Sequence, residues 1–245
     1  IWGLGQIARQ TGNNTGLNYL LPLLKDHNWQ IRAQVAKVLG ESKDEQYLAA
    51  LLPTLSDDNA RVRFFALTAV SKLAGKSATK VSEALLAQIK TINDGDTFLR
   101  HAAIAGLIYL GQQTPSTTDL LAQQNINDAA AVRRAAMLTL ARLGDPRVTV
   151  FLNDKDQSVT QETILAVDRM NNHALVQQAY STLARCINGT PPISEPFQER
   201  LIQWCFRVGD EKAARLVTQY TLNQSAPEDL RRVALQDLKR WQITP

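Results

Sequence analysis

Apolar residues recur along this chain at helical intervals, three or four apart, and runs of strict apolar–polar alternation are scarce. Val132, Ala136, Met137, Leu140 and Leu143 form one such stripe. Gly144 stops it, and Asp145-Pro146 starts the next helix. Gly111 after Leu110 repeats the stop. The stripes run in phase with a recurring phrase, an apolar residue followed by Arg: Ile31-Arg32, Val62-Arg63, Leu99-Arg100, Val132-Arg133 and Leu230-Arg231. Val159-Thr160 and Phe197-Gln198 are degenerate copies that fill the gap. The copies lie about 33 residues apart, a two-helix repeat length. They predict hairpins over residues 15–41, 44–74, 78–111, 116–143, 145–170, 173–209 and 210–242, after a second helix over 1–10. The fifth hairpin has a short first helix, and residues 188–192 (Asn-Gly-Thr-Pro-Pro) are the clearest loop. Such a hairpin cannot bury both faces alone, so the units must stack. The fold expected is all-α: an α-α superhelix of about seven stacked hairpins, one solenoid domain over residues 1–245.

A second register supports the first. Asp26, Asp57, Asp94 and Asp154 each stand six residues before the Arg position, and Asp128 stands five before Arg133. An Asp at the start of a second helix is expected to cap it, its carboxylate accepting from N–H groups of the first turn. The fixed offset also predicts a charge-assisted ladder, in which Arg32, Arg63, Arg100 and Arg133 reach Asp26, Asp57, Asp94 and Asp128 of their own or a neighbouring repeat. Thr160 and Gln198 interrupt it. A third register, Leu-Leu-Pro-x-Leu-x-Asp, occurs at 20–26 and 51–57, and Pro22 and Pro53 are expected to kink or shorten the first helices there.

Composition narrows the function. The chain is 44% apolar but only 6% aromatic, a helix-rich balance, and its net charge of +4 is far below that of a dedicated nucleic-acid protein. No apolar run approaches the roughly 20 residues of a membrane span. The abrupt start at Ile1-Trp2-Gly3-Leu4-Gly5, without Met or a signal peptide, reads as a piece of a longer chain, with the apolar face of the first helix partly exposed. His27, His101 and His173 have no metal-ligand spacing, and no phosphate loop or nucleophile elbow occurs, so no catalytic, cofactor or metal site is expected. Cys186 and Cys205 fall on neighbouring predicted helices, which leaves a disulfide or two buried free thiols.

A less obvious stripe lies nine residues after each Arg position: Glu41, Lys72, Tyr109, Arg142, Arg169, Arg207 and Arg240. It falls about 180° around the helix from the ladder Arg. Lys72, Arg142, Arg169, Arg207 and Arg240 there either form an anionic-partner surface or complement helix C-terminal dipoles. Phe98, Ile108, Tyr109, Leu138 and Leu165 lie on the same side, as a binding patch or as packing beneath adjacent helices.

Short Val-Arg hairpins closing on Leu-Gly-Asp-Pro, as at Leu143 to Pro146, resemble HEAT (armadillo-like) repeats over nearly the whole chain. A narrower resemblance rests on Ile1-Trp2-Gly3-Leu4-Gly5, Gln161-Glu162-Thr163 to Asp168, Phe206-Arg207-Val208-Gly209, and Leu230 to Leu235 followed by Leu238, Trp241 and Pro245. This order is similar to the HEAT region of large bacterial haem-binding proteins that carry a sugar-dehydrogenase-like propeller and a c-type cytochrome module. The resemblance implies a non-catalytic, periplasmic or otherwise extracytoplasmic scaffold linking redox modules, with protein partners or neighbouring domains and haem only in the parent protein. This chain lacks Cys-x-x-Cys-His, so it cannot itself attach c-type haem. The alternatives are a nucleic-acid-binding HEAT protein of the base-excision kind, disfavoured by the low charge, and a tetrapyrrole lyase-type HEAT protein.

Overall fold

The computed structural model describes residues 1–170 and 194–241, together with Leu175, Thr182 and Ala184. Every regular element among them is helical. Where one solenoid domain is the sequence expectation, the chain divides into two compact units, Ile1–Leu143 and Gly144–Pro245.

In the first unit, α1 (Trp2–Thr11) is followed by a 3₁₀ segment, Thr15–Lys25, and by α2 (Trp29–Glu41). The next hairpin enters through 3₁₀ turns flanking α3 (Leu48–Leu51) and returns as α4 (Ala60–Lys72). Then come α5 (Ala78–Ile92) and α6 (Thr97–Gln113), and α7 (Pro115–Ala122) and α8 (Ala130–Leu143). All four hairpins fall where the repeat places them. The first elements of two hairpins are 3₁₀ around Pro22 and Pro53, because proline has no N–H to give the i→i−4 ladder. The second helices α2, α4, α6 and α8 pack side by side in order, and each also packs on the first element of its own hairpin. Val35, Leu39, Val62, Leu107, Met137 and Leu140 are almost wholly buried between the layers. Each contributes about 1.5–3 kcal/mol by leaving water.

Small residues set the closeness of the second helices. A Cβ on Gly40 would come within 2.5 Å of Ala69 Cβ, and one on Gly106 within 2.2 Å of Ser71 Oγ. A Cβ on Gly5 would meet Val38 at 2.9 Å. Gly40 and Ser71 stand eight residues after their register Arg, and Val38, Ala69 and Gly106 six after theirs. The seam therefore repeats with the helices.

The second unit begins with a 3₁₀ segment, Pro146–Asn153, packed on α9 (Gln157–Met170). Further on, α10 (Glu195–Val208), α11 (Glu211–Leu222) and α12 (Glu228–Lys239) pack on one another. Trp204 on α10 is 1% exposed, and its indole donates to Asp168 of α9 at 2.7 Å. Trp241 donates to the Gly209 carbonyl and packs edge-on against Phe206. The predicted loop at 188–192, His173 and Cys186 lie outside the described residues. Cys205 is a free, buried thiol.

The expected capping needs correction. Asp26 and Asp57 do not cap α2 and α4; Asn28 and Asn59 do, accepting from Gln30 N and Arg61 N. The two aspartates sit two residues earlier and accept from the Asn28 and Asn59 N–H groups, each closing an Asx turn that presents the cap. Asp94 likewise lies before the cap of α6, which is Asp96. Asp94 has φ +65° after Asn93 at +43°, so the chain takes a left-handed step there.

Candidate partner-binding face

Three arginines of the register share a geometry beyond the expected ladder, which itself holds for Arg32 and Arg100. Arg32 Nη1 donates to the Asp26 carbonyl at 2.8 Å, Arg63 Nη1 to that of Asp57 at 2.8 Å, and Arg133 Nη1 to that of Asn127 at 2.7 Å. Each also reaches the carbonyl one residue on. The guanidinium thus folds back on its own interhelix turn and satisfies backbone acceptors there. Carboxylate pairing is confined to some positions. Arg32 binds Asp57 of the next repeat through Nε at 2.7 Å and Nη2 at 2.8 Å, rather than the Asp26 side chain. Arg100 bonds Asp94 of its own turn at 2.9 Å, and Arg134 also donates to Asp94. Arg63 has no carboxylate partner among the described residues: its turn carbonyls take its fork. Thr160 is less of an interruption than its identity suggests, because its hydroxyl donates to the Asp154 carbonyl at 3.2 Å, the bond an Arg makes elsewhere. Hydrogen bonds from Arg32 hold Asp57 down at about 2, against the opposing effect of burial.

The stripe nine residues on does not survive as five free cations. Lys72, Arg142, Arg169, Arg207 and Arg240 are all exposed. Lys72 and Arg142 lie in the first unit, the other three in the second. Arg207 is committed to Asp168 at 2.5 Å, and Arg200 binds the same carboxylate at 2.6 Å. Burial alone would raise the Asp168 carboxyl; Arg207, Trp204 and Arg200 outweigh it and hold it below its ordinary value. Arg240 pairs with Asp237 at 2.8 Å and lies over the Phe206 ring. Glu41 is taken by Arg9.

The apolar residues on this side divide. Phe98 is 80% exposed and Tyr109 42%, while Ile108, Leu138 and Leu165 are half-buried. Two residues not singled out from the pattern, Phe64 and Phe65 on α4, join Phe98. A groove of about 180 Å³ between α2 and α4 is lined by Lys37, Phe64, Phe65 and Lys72. A second, of about 240 Å³ between α4 and α6, is lined by Arg61, Phe64, Asp96 and Phe98. Phe64 and Phe65 meet edge-to-face at 5.5 Å, and Lys37 and Arg61 lie 5.9 and 5.5 Å from the Phe65 centroid. The adjacent aromatics of Arg-Phe-Phe-Ala were the available signal: two consecutive large rings on one helix cannot both face the core. No group of His, Cys, Asp and Glu suited to a metal occurs among the described residues.

Comparison with known proteins bears on the fold. Residues 17–91 match the family described as HEAT repeats, and residues 132–153 match the PBS lyase HEAT-like repeat. No curated protein matches the chain. Among solved structures, an archaeal HEAT-like repeats protein from Thermococcus onnurineus NA1 is 15% identical at TM-score 0.45, over 97% of this chain and 90% of its own. An engineered protein is 13% identical at TM-score 0.46, over 96% of this chain and 71% of its own. The CpcE–CpcF complex of phycocyanin lyase from Nostoc sp. PCC7120 is 14% identical at TM-score 0.40, over 92% and 94%. Both family matches lie on observed hairpins, and the chain is an all-α helical-repeat protein throughout its described residues.

Proposed function

We propose that this chain is a non-catalytic HEAT-repeat scaffold that binds a partner protein through the outer face of α2, α4 and α6. The observation that carries the reading is Phe98, 80% exposed and set beside the Phe64–Phe65 pair on a layer held rigid by its close helix contacts. Large aromatics held in water on a stiff support favour association, since burying them costs little ordering entropy. A photo-crosslinking amino acid placed at Phe98 should give discrete adducts in the native cell, and one at exposed Lys80 on α5 should not. Equal labelling, or no adduct at Phe98, would refute the assignment.

The finer reading concerns the parent protein. The resemblance noted in the sequence supports an extracytoplasmic chain in which this region links a propeller and a c-type cytochrome module, so that the partner is a neighbouring domain. Its test is the full-length protein, purified from the periplasmic fraction and stained for covalent haem. A cytoplasmic, haem-free product would end that reading and leave the scaffold intact.

A further inference from the structure

The two grooves on the first unit share a wall and carry more free positive than negative charge. We propose that they form a recognition site for an extended acidic segment of a partner protein, one with two apolar side chains, one for each groove. The proposal rests on the scaffold reading above and names what its exposed face takes.

Charge comes first. Lys37, Arg61 and Lys72 rim the grooves, and none has an ion-pair partner among the described residues. Lys37 and Arg61 rest over the Phe65 ring, which leaves their charges unneutralised and pointed at the surface. Of the two carboxylates in the linings, Glu41 is ion-paired and Asp96 is a helix cap, so three cations face one unpaired carboxylate. Glu41 is bound by Arg9 at 2.6 Å, and Asp96 accepts from the Phe98 and Leu99 N–H groups as the cap of α6. The rim therefore favours an anionic ligand.

Spacing comes second. Phe64 stands between the grooves, and on α4 the first is lined from Phe64 to Lys72 and the second from Ala60 to Phe64, so they are offset along the helix as well as across it. An extended segment that runs obliquely over α4, advancing about 3.3 Å per residue, reaches both. One apolar side chain then enters between α2 and α4 beside Phe65, and the next between α4 and α6 beside Phe98. The residues between them carry the carboxylates that meet Lys37, Arg61 and Lys72. A folded anionic surface would meet the rim but leave both grooves unfilled, and a nucleic acid would stack on Phe98 without filling the first groove.

The test uses the whole chain, immobilised, and a displayed library of short random peptides. Enrichment of sequences with Asp or Glu between two apolar residues is the expected result. The selected peptide should lose about tenfold or more in affinity to Phe98→Ser, the cost of a central aromatic anchor, and similarly to Arg61→Glu. Lys80→Glu on α5 should leave it unchanged, and circular dichroism of each variant separates lost contacts from lost folding. Enrichment of basic peptides, or binding indifferent to Phe98→Ser and Arg61→Glu, overturns this inference. So does an oligothymidylate that binds through the same residues while no peptide does. In any of these cases adducts at Phe98 in the cell would keep the scaffold reading; their absence as well would remove both.

Discussion

Arg32 and Asp57 form a bidentate link between repeats, with side chains only 12% and 9% exposed. Breaking one partner strands the other, so Asp57→Asn should cost about 1–3 kcal/mol in urea unfolding at pH 7. The folded carboxyl titrates at about 2, below its ordinary 3.8, so its stabilisation is present above pH 3.8 and fades as pH falls towards 2. The gap between Asp57→Asn and the parent chain should therefore narrow between pH 4 and 2; a constant gap would mean that the ion pair is not its source. Cys205 gives a second residue-scale outcome. Burial first, and Asp210 next, push its thiol up to about 12, so little thiolate exists at pH 8. Peptide mapping after iodoacetamide treatment should find Cys205 unmodified in native protein and modified in urea; native labelling would contradict its burial. At this scale the residue types at each register position were legible, as were carboxylate partners for Arg32 and Arg100, but not which of the arginines would pair. Arg32 and Arg63 carry the same signal, yet Arg32 reaches forward to Asp57 and Arg63 stops at its own turn. The difference lies in where the next turn comes to rest, which no local pattern encodes.

Helices were the most legible level. Every predicted hairpin between residues 15 and 170 is present, because amphipathic period and cap chemistry are both local. The first elements show where local reasoning fell short: the α-helix before Pro53 is cut to Leu48–Leu51 as expected, but the chain runs on as 3₁₀ around both Pro22 and Pro53. The Gly–Ala seam was present in the repeat but unread, because a glycine in a helix looks merely unfavourable until its neighbour is known. Gly40→Ala should cost about 1–3 kcal/mol, as its Cβ would press on Ala69 of a packed helix. Gly3→Ala, with open space around it, should instead gain about 0.4–1 kcal/mol. Thermal denaturation of the two variants gives shifts of opposite sign if the seam sets helix spacing, and two gains if it does not.

Whole-molecule organisation follows from the one-dimensional character of repeats, in which each hairpin is stabilised by its neighbours and no central core spans the chain. The unit Ile1–Leu143 has its own buried layer, so residues 1–143 alone should be helical and unfold in a single cooperative transition by circular dichroism. A broad, sloping transition would show that this unit is not an independent block. The candidate face belongs to the same scale. Phe98 was legible as an apolar residue on the outer side of its helix, whereas the grooves beside it depend on α2, α4 and α6 lying close enough for Lys37, Phe64 and Phe98 to share walls. What the residues determined by themselves is the repeat, the helical class and the hairpin boundaries, all consequences of short-range periodicity. Only the tertiary structure decided which cations remain free: Arg207 and Arg240 lose theirs to Asp168 and Asp237, while Lys37, Arg61 and Lys72 keep theirs. The reason is geometric, since an ion pair requires two side chains within about 4 Å, and that distance is set by the packing of neighbouring helices rather than by position along the chain.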